Sequence, residues 1–313
     1  YEVNMESIQI IGNGLYLPAL KINNTELEKK FNVEEGYILK RTGINIRYYK
    51  KDEDICKMAL KASKVAIEKA EIVANCIDLI IVATTSTNVL MPGISYYIQK
   101  ELKIETCMCL DILAGCAGYI NALDIAKLYI DSKKTNTALI IGVDVLSECT
   151  NENDINTKII LSDGAGATIV KRIEEFKLYS SNIQSDGKNG DILTYKINEK
   201  IKMDGKAIYK YAVTETVNNI EELLKRNSIK LEDVKYIIPH QSNIKIIKSI
   251  ATKLNVSMDK VYTNINKIGN TFCASIPIAL TQMYEDNLLK DGDKVILIGY
   301  GGGLNTASIL LEI

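Results

Sequence analysis

The stretch "LDILAGCAGYINALDIA", residues 110–126, places a cysteine between small residues at the start of a helical pattern, and this pattern recurs later in the chain. Three pairs of stretches share nearly one offset, 156 or 157 residues: "CAGYINAL" (116–123) with "CASIPIAL" (273–280), "IVATTS" (81–86) with "IIPHQS" (237–242), and "LIIGVD" (139–144) with "ILIGYG" (296–301). A nearly constant offset predicts two copies of one structural unit.

Short β-branched runs alternate with longer amphipathic stretches in both copies. The pattern predicts strands over 77–86, 137–146, 234–242 and 294–301, and helices over 56–72 and 211–227. This alternation is typical of an α/β protein with a largely parallel sheet covered by helices. We place the boundary after "DGAGATIVKR", which gives halves 1–172 and 173–313. The sparsely charged helices after Cys116 and Cys273 are expected at the centre, so that helix N-termini from both halves meet there.

Composition narrows the function classes. A chain of 313 residues, 47% of them hydrophobic, suits one large domain or two of roughly 150 residues. The net charge of −1 gives no reason to expect nucleic acid. Seven scattered cysteines without a CxxC pair, and one histidine, offer little to a metal and indicate a reduced, cytoplasmic protein. The apolar runs are too short for a membrane span, and "YEVNMESIQIIG" lacks a signal-peptide pattern. Met5 is a candidate natural start, with residues 1–4 additional.

Three polar residues stand where chemistry is expected. Cys116 begins a helical pattern, and a helix N-terminus lowers a thiol pKa because its free N–H groups favour the thiolate; the alternative is a buried packing cysteine. His240 is the only histidine and follows an apolar strand, where α/β sheets place ligands; the alternative is a histidine satisfied by hydrogen bonds. Asn270 precedes the second central helix and either caps it or donates its amide to a substrate carbonyl.

Seven short motifs occur in the order found in one family: "RTGI" (41–44), "VATTS" (82–86), "GCAGY" (115–119), "SDGAGA" (162–167), "IPHQSN" (238–243), "GNTFCASIP" (269–277) and "GYGGGL" (299–304). On these motifs the sequence resembles the β-ketoacyl-acyl-carrier-protein synthase III family of the thiolase superfamily. The resemblance implies a duplicated five-layer αβαβα fold, a homodimer, and a catalytic triad of Cys116, His240 and Asn270.

The resemblance also implies a decarboxylative condensation. Cys116 takes an acyl primer from acyl-CoA or an acyl-carrier protein, while the backbone N–H groups of Cys116 and Gly302 hold the oxyanion. Malonyl-acyl-carrier protein then loses carbon dioxide, with His240 and Asn270 stabilising the enolate, and the carbanion attacks the acyl-cysteine. No metal or cofactor is implied. Cys273, the counterpart of Cys116 in the repeat, is expected to have no catalytic role.

The substrate-binding positions depart from the family pattern. Tyr37 stands where the family often has the tryptophan that stacks on the CoA adenine, and Ile155 stands where it often has an arginine. Arg41 and Thr42 remain. The primer is therefore expected either to bind with weak CoA contacts or to arrive on a carrier protein. Met91 falls where a phenylalanine often caps the acyl pocket, so primers longer than acetyl are expected to be tolerated.

The segment after His240 supplies further candidates. Asn243 belongs to a polar patch expected to bind substrate, and Lys245 and Lys248 share a helix face that in this family meets the acidic carrier protein; the alternative for the lysines is a solvated face. Two other functions stay open, namely an acyltransferase that works without decarboxylation and a catalytically silent subunit that binds carrier protein.

Overall fold

The computed structural model describes residues 6–313, so the proposed start at Met5 lies outside the described residues. The helices are α1 Asn24–Lys30, α2 Tyr37–Thr42, α3 Ile55–Lys69, α4 Ile94–Glu101, α5 Gly118–Asp131, α6 Ile155–Lys158, α7 Gly205–Asn227, α8 Ile244–Lys253, α9 Ile265–Ile268 and α10 Ser275–Glu285. The strands are β1 Ser7–Tyr16, β2 Leu20–Asn23, β3 Ile46–Tyr49, β4 Leu79–Ala83, β5 Met108–Ile112, β6 Thr137–Asp144, β7 Gly164–Ile173, β8 Tyr179–Ser185, β9 Leu193–Thr194, β10 Lys202–Met203, β11 Tyr236–Pro239, β12 Lys294–Gly301 and β13 Asn305–Glu312.

Two main sheets form the framework. The first has the order β1-β7-β6-β4-β5 and the second the order β11-β12-β13-β8. β4 runs parallel to β5 and β6, and β11 runs parallel to β12, whereas the pairings of β1, β7, β13 and β8 are antiparallel. The expectation of a largely parallel sheet was therefore wrong, because each half ends in a strand that returns antiparallel to its neighbour. The predicted strands and helices themselves are present, with bounds that differ by a few residues.

The layers follow the predicted five-layer αβαβα order. α3 packs on β1, β6 and β7, and α4 packs on β4 and β5. α5 and α10 lie between the two sheets and contact strands of both. α7 covers β8, β12 and β13, with α8 packed against it. The sheets divide near residue 172, since β7 ends and β8 begins close to it. The division into two separate domains stays a prediction, because α5 and α10 pack against the sheets of both halves.

The central helices can lie deep because their sequences are apolar and their neighbours are small. β4 and β6 are buried along their whole length, as expected for strands covered on both faces. A Cβ at Gly142 of β6 would stand 2.2 Å from the carbonyl oxygen of Cys273, so glycine is required for α10 to approach. Two short 3-10 turns, Gly115–Ala117 before α5 and Phe272–Ala274 before α10, contact each other at the centre. The fold thereby brings the starts of both repeated helices together.

Crossing a bilayer needs a helix that is both long and apolar, and none of the helices in residues 6–313 meets that requirement.

Candidate active site

The nucleophile candidate sits in a slot made by glycines. Cys116 is 4% exposed and lies in the turn Gly115–Ala117. A Cβ at Gly301 would stand 2.9 Å from the Cys116 sulfur, and a Cβ at Gly115, whose φ is +56°, would stand 2.5 Å from the carbonyl oxygen of Gly302. The backbone N–H of Gly302 lies near the Cys116 sulfur and favours its thiolate. The slot therefore puts backbone N–H donors beside the thiol only because no side chain intervenes.

Burial decides the resting state of this thiol. Loss of hydration raises the pKa of Cys116 far above its usual range, and the nearby Asp144 carboxylate raises it further. The backbone N–H groups of Gly302 and of Cys116 itself act in the opposite direction but are outweighed. The backbone N–H groups at the helix start thus lower the pKa of Cys116, as expected, but burial raises it by more. The thiol rests in its neutral form.

The only histidine is held on two sides. His240 follows β11, is 1% exposed, and has its Nδ1 atom 2.6 Å from the hydroxyl oxygen of Ser275 at the start of α10. The Tyr300 ring packs edge-on against the imidazole, with ring centroids 5.4 Å apart. Burial lowers the pKa of His240 to about 3. The imidazole is therefore neutral at physiological pH and positioned with Nδ1 already bonded, which leaves Nε2 for a ligand.

Asn270 is fixed through its backbone and its carboxamide oxygen. Its N–H donates to the carbonyl oxygen of Ile160 at 3.0 Å, and its carbonyl oxygen accepts from Ser162 at 2.9 Å. Its side-chain oxygen accepts from the N–H of Phe272 at 3.0 Å, so it supports the turn before α10. Asn270 therefore does not cap α10, whose N-cap residue is Ala274, and among the described residues none accepts from its two amide hydrogens. Donation of that amide to a substrate carbonyl stays a prediction.

One cavity of about 630 Å³ joins these three residues. Cys116, His240 and Asn270 all line it. The more buried side chains of its lining are apolar, namely Leu161, Leu193, Ile201 and Phe272. The more exposed ones are polar or charged, namely Arg41, Asp204, Lys206, Asn243 and Lys245, of which three are cationic and one is anionic. A cavity with buried apolar walls and a net positive exposed lining suits a molecule that carries both an acyl group and anionic groups.

Of the four residues predicted to bind CoA, only Arg41 lines the cavity. The Arg41 guanidinium, on the cavity wall, stands 5.8 Å from the centre of the Tyr37 ring. Tyr37 and Ile155 pack in one apolar cluster with Leu27 and do not line the cavity. Thr42 is fully buried: its hydroxyl donates to the carbonyl oxygen of Ile38 at 2.7 Å and accepts from the N–H of Ile44 at 3.1 Å. The expectation that Thr42 binds substrate was wrong, because its hydroxyl serves the end of α2.

Of three further predicted residues, two lie outside the cavity wall and one lines it. Met91 is 93% exposed on the surface of the single chain, so it caps no pocket within this chain. Lys248 is exposed on α8, one turn beyond Lys245. Asn243 caps α8, since its carboxamide oxygen accepts from the N–H of Lys245 at 2.9 Å, and it still lines the cavity.

Three residues that the sequence analysis missed hold the site together. Ser275 positions His240. Asn305 donates its side-chain amide to the carbonyl oxygen of Ala114 at 2.6 Å and so ties the glycine-rich loop to the nucleophile turn. Asp144 accepts from the backbone N–H of Thr85 at 2.7 Å and of Cys273 at 2.9 Å, which joins the two repeats. Ser275 lies inside the "GNTFCASIP" motif and could have been singled out; the other two lie where no local pattern points to them.

The fold and the site together define a class of enzyme, an internally duplicated α/β protein with a buried cysteine, histidine and asparagine on one long cavity. Two family models match the chain: the C-terminal domain of 3-oxoacyl-acyl-carrier-protein synthase III over residues 224–313, and 3-oxoacyl-acyl-carrier-protein synthase III over residues 110–187.

Whole-chain comparisons agree with the family models. The β-ketoacyl-acyl-carrier-protein synthase III of Clostridium beijerinckii is 38% identical over 98% of this chain and 100% of its own, and that of Clostridium kluyveri is 39% identical over 99% and 100%. The crystal structure of 3-oxoacyl-acyl-carrier-protein synthase III from Aquifex aeolicus matches with a TM-score of 0.96 at 37% identity, over 98% of this chain and 100% of that one. The chain belongs to the β-ketoacyl-acyl-carrier-protein synthase III family of thiolase-fold condensing acyltransferases, and the predicted resemblance is confirmed.

Proposed function

We propose that Cys116 carries the acyl primer. Its sulfur attacks the carbonyl of an acyl thioester, the new carbon–sulfur bond forms, and the donor thiol leaves with the proton that Cys116 loses. The N–H groups of Gly302 and Cys116 stabilise the oxyanion, because both lie beside the sulfur to which the acyl carbon becomes bonded. The single observation that carries this proposal is the convergence of Cys116, His240 and Asn270 on one cavity.

His240 and Asn270 act on the second substrate, malonyl-acyl-carrier protein. The Ser275 hydroxyl is within reach of the Gln241 N–H, at 3.4 Å, so it can accept there and donate its own hydrogen to His240 Nδ1. The hydrogen on the ring then sits at Nε2 and faces the cavity. Together with the free amide of Asn270 it donates to the thioester carbonyl, which stabilises the enolate left when carbon dioxide departs. The enolate carbon attacks the acyl group on Cys116, and the thiol is released.

The exposed part of the cavity lining supports a donor with an anionic arm. Arg41, Lys206 and Lys245 place three cationic side chains there, with Asn243 between the cavity and α8. Tyr37 stands back from the cavity, and Ile155 supplies no cation. This arrangement favours recognition of the phosphate and pantetheine arm over the adenine. We therefore expect acyl-CoA to bind weakly, or the primer to come on a carrier protein.

The carrier protein is proposed to dock beside this opening. Lys245 and Lys248 are exposed on α8, and among the described residues neither has a carboxylate within ion-pair distance. Exposed, unpaired cations steer an acidic partner toward a transient complex. Lys245 lies in the first turn of α8 and lines the cavity, and Lys248 lies in the next turn.

A homodimer is proposed from the edge of the first sheet. Among the residues described, β5 pairs only with β4, which leaves its outer edge unpaired. Leu113 is 74% exposed directly after this strand, and Met108 and Met91 are exposed as well. An unpaired strand edge flanked by exposed apolar side chains suits pairing with a second copy.

A cytoplasmic location is proposed as well. The seven cysteines are free thiols, which supports this location.

The experiment separates this function from the two alternatives. The protein is incubated with acetyl-CoA, butyryl-CoA and acetyl-carrier protein, and the acylated residue is located by mass spectrometry. Malonyl-acyl-carrier protein is then added, and β-ketoacyl product and carbon dioxide are measured. We expect acylation at Cys116 followed by both products. Acylation without condensation would indicate an acyltransferase that works without decarboxylation, and no acylation from any donor would indicate a silent subunit.

A further inference from the structure

A bulky aromatic residue occupies a backbone conformation that favours glycine. Phe272 has a φ of +45°, in the left-handed region, and is buried between Asn270 and the start of α10. Large side chains are true outliers there, whereas glycine and asparagine enter it with little strain. Phe272 therefore adopts a left-handed conformation that is unfavourable for a phenylalanine. A backbone outlier of this kind motivates a functional explanation.

The backbone and the side chain of Phe272 have separate tasks. The N–H of Phe272 donates to the carboxamide oxygen of Asn270 at 3.0 Å, which any residue at this position can do. The left-handed conformation thus serves the turn that orients Asn270. It does not account for an aromatic ring, so the reason for the ring lies in what the ring touches.

The Phe272 side chain lines the cavity and belongs to the same apolar cluster as the nucleophile. Phe272 belongs to one buried apolar cluster with Cys116, Leu161 and Ile201, and all four side chains line the cavity. Leu146 and Cys149 complete this cluster but do not reach the cavity. Phe272 is therefore the largest side chain of the cluster that an acyl group on Cys116 would meet.

We propose that Phe272 is a specificity-determining residue, whose ring limits the acyl group on Cys116 to short chains, from acetyl to butyryl. This inference rests on the proposed acylation of Cys116. Longer chains such as octanoyl would have to occupy the space that the ring fills. Met91, exposed on this chain, offers no comparable barrier within it.

The test compares acylation by acetyl-CoA and octanoyl-CoA in the wild-type protein and in Phe272→Ala. A few methylene groups gained or lost in an apolar pocket change selectivity by about tenfold or more. We therefore expect the octanoyl-to-acetyl ratio of kcat/KM to rise at least about tenfold in Phe272→Ala, whatever the change in the absolute rate of acetyl transfer. Phe272→Gly, which suits the left-handed backbone, should show the same shift even where the alanine variant is poorly folded.

Leu146→Ala is the matched control, since it removes similar apolar volume from the same cluster behind the cavity wall. Its octanoyl-to-acetyl ratio should stay at the wild-type value. An unchanged chain-length profile in both Phe272 variants, with normal acetyl transfer, would overturn the inference and leave the proposed function intact. A wild-type protein that accepts neither acyl-CoA nor acyl-carrier protein would overturn the proposed function and this inference with it.

Discussion

The two repeats place a cysteine at the same point of the same turn, and the surrounding residues give the two thiols different environments. Cys116, in the N-terminal half, faces the cavity beside Gly301 and the N–H of Gly302. Cys273, in the C-terminal half, donates its thiol hydrogen to the carbonyl oxygen of Gly115 at 2.9 Å and does not line the cavity. Equivalent helix starts therefore do not make equivalent sites. The neighbouring glycine-rich loop makes one of them accessible and supplies its N–H donors.

The sheets of the two halves differ at one edge, and this difference places Asn270. The repeat offset of 157 carries residues 108–112, which form β5, to residues 265–269. That second segment forms α9 and a turn instead of a strand. Within residues 6–313 the outer edge of β5 has no partner strand, whereas α9 and Gly269 lead directly to Asn270 at the cavity. One duplicated segment is thus available for assembly and the other serves the site.

Replacing each of the two cysteines in turn tests the comparison, and it has the largest expected effect. Cys116→Ser should lower kcat/KM for condensation by about 10⁴-fold, because the nucleophile of a covalent mechanism is removed. Cys273→Ala should change kcat/KM by less than about threefold and lower the free energy of unfolding by about 1 kcal/mol through the lost hydrogen bond to Gly115. Steady-state kinetics and urea unfolding measure the two effects. A Cys273→Ala protein that cannot be acylated at Cys116 would contradict the division of roles.

Adding one methyl group to the glycine-rich loop tests why Cys116 is the reactive member of the pair. The Cβ of Gly301→Ala would stand 2.9 Å from the Cys116 sulfur, so the thiol must move away from the N–H of Gly302. A displacement of this size costs about 100-fold in rate. Single-turnover acylation measured by mass spectrometry reports the loss. Gly187→Ala is the control, since no atom lies within 4 Å of its added Cβ, and it should acylate at the wild-type rate.

Burial acts on both halves of the site and leaves both key groups neutral, although it shifts their pKa values in opposite directions. The pKa of His240 falls from 6.5 to about 3, so between these pH values the unfolded chain binds a proton that the folded chain does not. His240 therefore makes the free energy of unfolding decrease as the pH falls below 6.5, by up to about 1.4 kcal/mol per pH unit. Above pH 6.5 this contribution is complete.

His240→Gln isolates this term, because every other titrating group stays in place. We expect the free energy of unfolding, measured with urea between pH 4 and pH 6, to rise with pH more steeply in the wild-type protein than in the variant, by about 1 kcal/mol per pH unit. Parallel curves would mean that the imidazole is protonated in the folded protein and is less buried than its surroundings indicate.

Much of this organisation can be predicted from the sequence. The features that could not be predicted depend on contacts between distant segments. The repeat offset and the apolar runs predict both halves, since strand and helix periodicity is local. The neighbourhoods of Cys116 and His240 predict that they lie at helix and strand ends. The raised pKa of Cys116 was not predicted, because it depends on burial by distant segments and on Asp144. The same reason applies to Thr42, whose hydroxyl turns inward to Ile38.

The smallest expected effect concerns the exposed lysines of α8 in the C-terminal half, compared with those of α3 in the N-terminal half. Replacing Lys245 and Lys248 of α8 with glutamate should raise the KM for malonyl-acyl-carrier protein by about fivefold and weaken its dependence on salt, because steering of an acidic partner is lost. The kcat should change little, since neither side chain touches Cys116. The matched control replaces Lys64 and Lys69, exposed on α3 of the N-terminal half, and alters the net charge equally. An equal rise in KM in both double variants would mean that net charge, and not the α8 surface, guides the carrier protein.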